Sequence, residues 1–442
     1  MNIAEKRINE CDPGSVRHNL YLTPGLQKAG RETHVANFKK VFQLIEKNRK
    51  EMVELQKELT KIPAMAPQNG GDGEWEKSQV LMKWLDKCGI PNVERINAID
   101  ERVTSGRRPN IIATIPGTSS ERTFWIMTHV DIVPPGDVKL WDSDPFTVVE
   151  KNGCLIGRGV EDNQQSLIAS LYAVTSILQA GLIPNYTVKL LFVADEETGS
   201  EFGIKYLLDN YNLFREKDFI LVPDGGNERG DMIEIAEKSL LWLQFRTIGR
   251  QCHASVPDHG INAFLAASDL VLQLNTLNEE FGEKDPIFDP PVSTFSPTKK
   301  EANVPNVNTI PGDDIFYMDC RILPSINLDK VLVRISEIIS SIEKKYNVQT
   351  AYTVIQRASS PPTPAHTPIV QALKQALKRI YNIDGKEMGI GGGTVAAPLR
   401  RKGYDTVVWS RIDESAHSPN EYCIIDNMVG DSKVMADIML NI

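Results

Sequence analysis

Residues 190–199 read Leu190-Leu191-Phe192-Val193-Ala194-Asp195-Glu196-Glu197-Thr198-Gly199. The apolar run Val188 to Ala194 has the length and composition of a buried strand, and it stops at three adjacent carboxylates. Such a triplet repels itself unless cations neutralise it. Three other apolar runs end in the same way. Phe124 to Thr128 leads into His129 and Asp131, and Phe219 to Pro223 leads into Asp224. Thr406 to Ser410 runs on to Asp413 and His417. In an open α/β sheet, ligands gather at the carboxyl ends of the strands. Four strand ends bearing imidazoles and carboxylates predict one polar pocket.

A chain of 442 residues exceeds one ordinary domain, so two are expected. With 41% hydrophobic and 24% charged residues, the composition is that of a globular chain. The net charge of −9, without basic runs, argues against nucleic acid or an anionic membrane as partner. Cys11, Cys88, Cys154, Cys252, Cys320 and Cys423 form no C-x-x-C pair. That excludes a thiolate zinc site of the usual spacing and fits free thiols in a reducing cytosol. The opening residues, MNIAEKRINECD, lack the apolar core of a signal peptide, and no run approaches membrane-spanning length. The expectation is a cytoplasmic protein.

Residues 1–37 read as an extension, polar and aperiodic up to about residue 35. Phe38, Val41, Phe42, Ile45, Met52, Leu55 and Leu59 share one face of a helix ending before Pro63. Glu76 to Cys88 and Gln164 to Ala180 are further helices, and Asp162 occupies a good capping position for the second. Asn110 to Ile115 is a strand. Alternating strands and helices argue for an α/β fold with a mainly parallel, helix-covered sheet. From about Lys238 the pattern changes. Strands at Ser239 to Thr247, Ile315 to Ile322 and Thr350 to Gln356 accompany helices at Ala263 to Leu277 and Leu328 to Lys345. Residues 238–357 are therefore an inserted α+β domain. Residues 38–237 and 358–442 make the catalytic domain, with 359–364 as the return linker.

Taken singly, each candidate has an ordinary alternative: a core histidine for His129, a cap for Asp162, a solvated pair for Glu196 and Glu197, a turn for Asp224, a surface loop for His417. Asp131 lies two residues beyond His129, on the same strand face, where it can orient a metal-bound imidazole. Together the residues supply two histidines and three carboxylates with one glutamate to spare. Such a set suits two metal ions.

The segments Thr128-His-Val-Asp-Ile-Val-Pro134, Gly157-Arg-Gly-Val-Glu-Asp162, Asp195-Glu-Glu-Thr-Gly-Ser200, Val222-Pro-Asp-Gly225 and Ala416-His-Ser-Pro419 resemble those of the M20 metallopeptidases. That group contains succinyl-diaminopimelate desuccinylase, acetylornithine deacetylase, aminoacylase-1, carboxypeptidase G2 and several dipeptidases. The resemblance covers about residues 40–442 and implies a zinc-peptidase-like catalytic domain. It implies that Asp162 bridges two Zn²⁺ ions, which Co²⁺ or Mn²⁺ can replace. His129 and Asp224 would complete one ion, and Glu197 and His417 the other. Asp131 would orient His129, Glu196 would be general base, and the Asp162–Asn163 peptide would be cis. His253 matches a histidine that reaches a neighbouring subunit's site, which implies a homodimer through residues 238–357, with that insert as lid and dimerisation domain. Asn308 and Arg321 match substrate-binding positions, and an arginine is suited to gripping a carboxylate in bidentate fashion. The loop Gly391-Gly392-Gly393-Thr394 can wrap backbone N–H groups around a substrate carboxylate. The implied substrate is a small N-acyl amino acid, with dipeptides as the alternative and a non-catalytic binding role as the remote one. Asp224 departs from the glutamate that desuccinylases and deacylases tend to carry there, which draws the reading towards dipeptidases.

Overall fold

The computed structural model describes residues 24–442, with side chains from residue 36 onward. Its main sheet has eight strands. Their order is Asn92–Ile99, Arg107–Ile115, Tyr186–Val193, Ser119–His129, Phe219–Asn227, Thr406–Arg411, Met232–Glu237 and Lys386–Ile390. The four central strands, from Tyr186–Val193 to Thr406–Arg411, are mutually parallel. They are the four that end in candidate site residues, so all four carboxyl ends open on one edge. Around them the sheet is mixed: Arg107–Ile115 runs antiparallel to both of its neighbours, Tyr186–Val193 and Asn92–Ile99, and Met232–Glu237 runs antiparallel to Thr406–Arg411.

Burial on both faces explains why these strands read as unbroken apolar runs. Ile126, Leu190, Phe192 and Leu221 pack into one core, beneath the helices Pro24–Thr60, Ser166–Gln179 and Ile425–Asn441. Trp125, Met127, Leu191, Val193, Ile220 and Val222 face the other core, which includes Ile204 and Leu207 of a short helix. Each such buried side chain contributes about 1.5–3 kcal/mol relative to exposure, so the strand ends stand on a stiff base.

A second sheet is antiparallel throughout, in the order Thr294–Lys300, Asp313–Ile322, Ser239–Ile248, Gln349–Ala358. The helices Ala263–Asn275 and Leu328–Tyr346 pack against it. The Ser239–Ile248 strand alternates buried and exposed positions, as one covered face requires. Thr294–Lys300 carries no strand signal in the sequence. It is an edge strand with Pro297 beside a bulge, where a missing N–H costs no ladder bond.

Two expectations need correction. The first helix begins at Pro24 rather than near Phe38, so residues 24–35 are not irregular. Proline is preorganised for the first helical turn, and the lysine, glutamine and glutamate that follow favour helix. Residues 1–23 of the expected extension, Cys11 included, lie outside the described residues. Asp162, moreover, caps nothing. The chain around it has non-helical dihedrals (φ −109°, ψ 97°), and the regular helix starts only at Ser166. No described helix is long and apolar enough to cross a membrane.

Candidate metal centre

His129 is 2% exposed at the last residue of its strand. Its Nδ1 lies 3.0 Å from the Asp131 carbonyl oxygen, which turns Nε2 towards Asp162 Oδ1 at 2.8 Å and Asp224 Oδ1 at 3.4 Å. The Asp131 carboxylate, expected to orient the ring, faces the same nitrogen, with Oδ1 3.6 Å from Nδ1. It also accepts the backbone N–H groups of Glu196 and Glu197, each at 3.0 Å. It fixes the acidic turn itself.

That turn separates the three carboxylates. Asp195 adopts a left-handed conformation (φ 62°) and faces away, accepting from Thr198 Oγ1 and from Phe202 N at 3.1 Å. Behind it the buried Arg108 is paired with Glu74 and lies 3.5 Å from Asp195. Glu196 and Glu197 point the other way, into the pocket.

Asp162 is the meeting point. Its Oδ1 faces His129 and its Oδ2 lies 3.2 Å from His417 Nε2, which is also 3.1 Å from Glu197 Oε2. Donor atoms of His129, Asp162 and Asp224 all fall within 4.8 Å of one another, and so do those of Asp162, Glu197 and His417. Donor atoms of His129, Glu196 and Glu197 make a third such group, so His129, Asp162 and Glu197 each belong to two. The Asp162–Asn163 peptide is cis, as the resemblance implies.

Two buried carboxylates that the sequence reading passed over hold this arrangement. Glu421 accepts from the N–H groups of Gly159, Glu161 and Asp162 at 2.9–3.1 Å and from Arg158 Nη1 at 2.6 Å. Glu161 reaches the opposite way, to Asp413 N at 2.9 Å and to Ser415 N and Oγ at 2.5 and 2.7 Å. Each brace ties the Asp162 turn to the His417 loop. Asn163 adds a third contact, donating from Nδ2 to Asp224 Oδ1 at 2.6 Å. Their signal was slight: each is a polar residue adjoining a motif.

The charges show what the pocket needs. His417 is pushed up to about 10 by Asp162 and Glu197. Burial acts to depress His129, but Asp224, Asp131 and Asp162 together raise it well above its ordinary value. Asp162 is held low despite burial, by the hydrogen bonds from both imidazoles. Glu196 is pushed well above the carboxylate range by burial and then by Asp224, and burial also raises Glu197 and Asp224. Protons here stand where cations would bind, and divalent ions would displace them. The donors fit: imidazole nitrogen and carboxylate oxygen are ligands for zinc and similar ions, and Glu197 Oε1 is buried with no hydrogen-bond partner.

Other expected site residues stand apart from this group. His253 is exposed, and its Nδ1 accepts from Ser255 N at 3.1 Å. Asn308 is also exposed and is engaged by Asn306. Arg321 does not offer a free fork. Asp319 already takes it in bidentate fashion at 2.7 and 2.9 Å, because residues two apart share a strand face, and its remaining Nη1 donates to the Gly391 carbonyl at 2.8 Å. Gly393 and Thr394 line a cavity of about 230 Å³ together with Glu196, Lys205, Glu237 and Arg401. Gly392 lies outside that lining. Leu240, Gln356 and Ala358 close it from the second sheet.

Residues 125–441 match the model of peptidase family M20/M25/M40. The chain belongs to that family. An uncharacterized metallohydrolase of Methanocaldococcus jannaschii is 39% identical over 407 residues, spanning 88% of this chain and 98% of its own. A succinyl-diaminopimelate desuccinylase of Nitratiruptor is 24% identical over 379 residues, spanning 84% and 94%. Among solved structures, the aminopeptidase PepT of Bacillus cereus has the same fold, with a TM-score of 0.71, 18% identity, and coverage of 89% and 98%. This M20 chain is accordingly a metal-dependent hydrolytic enzyme.

Proposed function

We propose that the protein is a two-zinc amidohydrolase that splits a small N-acyl amino acid into an acid and a free amine. The observation that carries this reading is Asp162, whose two oxygens face two separate imidazoles, with Glu196 grouped beside His129 and Glu197. His129 and Asp224 would hold one ion and Glu197 and His417 the other, Asp162 being common to both. Bound there, such ions supply Lewis-acid polarisation of the amide carbonyl and a water acidified towards neutrality. Glu196 would take the proton from that water and return it to the departing nitrogen. The raised affinity of Glu196 for protons suits a group that must both accept and donate.

The cavity beside Glu196 supports an acyl group that ends in a carboxylate, such as succinyl. Lys205 and Arg401 lie on its wall, and Thr394 adds a hydroxyl held by Glu237 at 2.6 Å. A dipeptidase is the second reading, favoured by aspartate rather than glutamate at position 224. Zinc-loaded protein assayed on N-succinyl and N-acetyl amino acids and on dipeptides separates the two. Faster turnover of the N-succinyl compounds is expected, with loss on chelation. Cleavage of dipeptides alone would replace the first reading by the second, and no cleavage at all would overturn both.

We further propose a homodimer formed through the second sheet and its helix. Phe264, Leu265 and Leu272 are exposed on the Ala263–Asn275 helix, beside the edge strand Thr294–Lys300. His253 would then serve the neighbouring subunit's site as an oxyanion donor. Mixed dimers of His253→Ala and Glu196→Ala subunits test this. One site of each mixed dimer would carry both lesions and the other neither, so activity should return to as much as half of normal. No return in verified mixed dimers would exclude a shared site.

A further inference from the structure

The cavity beside Glu196 holds a second carboxylate, and its charge is only partly answered. Glu237 is the last residue of the strand Met232–Glu237, 3% exposed, and its side chain forms part of the cavity wall. Its Oε1 accepts the Thr394 hydroxyl at 2.6 Å and lies 3.4 Å from Arg400 Nη1. That guanidinium serves Glu234 first, meeting its Oε1 at 2.7 Å. The other N–H groups of Arg400 donate to the carbonyls of Glu234 and Thr406 at 3.0–3.2 Å. Glu234 is fully buried, and its Oε2 has no hydrogen-bond partner. Two buried carboxylates thus share one buried cation. Burial raises both, pushing Glu234 up to about 8. The cluster is one positive charge short, which is costly in a buried place.

The cations that line the cavity do not make up the deficit. Lys238 follows Glu237 directly but sends its ammonium to the carbonyls of Pro290 and Val292, at 2.8 and 2.7 Å. Lys205 is taken by Glu201 at 2.6 Å. Arg401 donates to the Ser359 carbonyl at 3.5 Å and has no carboxylate partner among the described residues. Meanwhile a glycine keeps the space in front of Glu237 open. A methyl group on Gly393 would sit 3.7 Å from Glu237 Oε2 and 3.7 Å from Leu240 Cδ1. Gly393 is not in the left-handed region, so its backbone admits a side chain, and what glycine supplies here is room.

We propose that Glu237 binds the ammonium of an acyl group that ends as an amino acid does, with an ammonium and a carboxylate on one carbon. The proposal rests on the amidohydrolase reading above and narrows its acyl group. Glu237 Oε2 would take the ammonium, and Arg401, on the same wall, the carboxylate. The ammonium brings the charge that the cluster of Glu234, Arg400 and Glu237 lacks. An acyl group of this form is an amino-dicarboxylic acid joined through its side-chain carboxyl, as in a γ-glutamyl amide. Its amide would then lie towards Glu196, at the other part of the cavity wall.

The test compares γ-glutamyl-alanine with glutaryl-alanine, which differ by one ammonium group. Binding is measured by calorimetry on zinc-loaded Glu196→Gln protein, so that neither compound is consumed. The γ-glutamyl compound is expected to bind at least about tenfold more tightly, as a charge-assisted hydrogen bond in a buried site provides. Adding Glu237→Gln should abolish that preference, since glutamine keeps an oxygen for Thr394 but not the charge. Gly393→Ala fills the space over Oε2 and leaves the carboxylate in place. It should shrink the preference as well, and it stands alone if Glu237→Gln does not fold. Equal binding of the two compounds, tighter binding of the glutaryl compound, or a preference that survives Glu237→Gln overturns the proposal. Wild type that cleaves N-succinyl or N-acetyl amino acids while neither probe binds overturns it too, and leaves the amidohydrolase reading intact. Wild type that cleaves no N-acyl amino acid removes that reading instead, and the calorimetric preference then decides the role of Glu237 by itself.

Discussion

Glu196→Gln should lower kcat by about 10²–10⁴-fold while leaving the metal content of the protein unchanged. The glutamine has the same shape, and the position of residue 196 is set by its backbone, whose N–H donates to Asp131 at 3.0 Å. What is lost is an oxygen able to carry a proton. Because that oxygen works only as bonds are breaking, kcat and kcat/KM should fall together with KM little changed. Metal analysis of the same preparation guards against a trivial cause. Activity within threefold of wild type would remove Glu196 from the reaction, and loss of metal would make it a ligand instead.

Asp162→Asn should have the larger structural effect. Each oxygen of this carboxylate faces a different imidazole, so the change strikes both candidate sites at once. Metal content is expected to fall to less than one ion per chain, with turnover undetectable. Stabilisation by metal should also disappear. At a free concentration a thousand times Kd, a ligand that binds only the folded state raises stability by about 4 kcal/mol. Wild type should therefore melt higher when zinc is added, and the variant should not respond. A variant that retains both ions would show that Asp162 does not bridge them.

Much of the site was legible because of how it is built. The strands that carry it are buried on both faces, so each appears as an apolar run, and a carboxylate or imidazole after such a run stands out. His129, Glu197 and Asp224 stood out in this way. Strand direction did not, since an apolar run reads the same whichever way its neighbour runs, and Arg107–Ile115 and Met232–Glu237 run antiparallel to the central strands beside them. Contacts across long separations were equally hidden. Glu421 lies 260 residues from the Glu161 N–H it accepts, and Arg108 lies 87 from Asp195. Local rules misled where a residue left its regular element. Asp162 resembled a cap because a helix follows it, but the chain there is not helical.

The reciprocal braces of Glu161 and Glu421 also bear on when the site can exist during protein synthesis. His129, Asp162, Glu197 and Asp224 leave the ribosome long before His417 and Glu421. Until the final segment arrives, the Asp162 turn lacks the carboxylate that gathers three of its backbone N–H groups and pairs Arg158. Glu161 likewise has no loop to hold. The growing chain therefore exposes an acidic half-site, with one imidazole, that has neither its second histidine nor its final shape. A chain that stops before Asp413 would leave Arg158 without its carboxylate and the Asp162 turn without its brace.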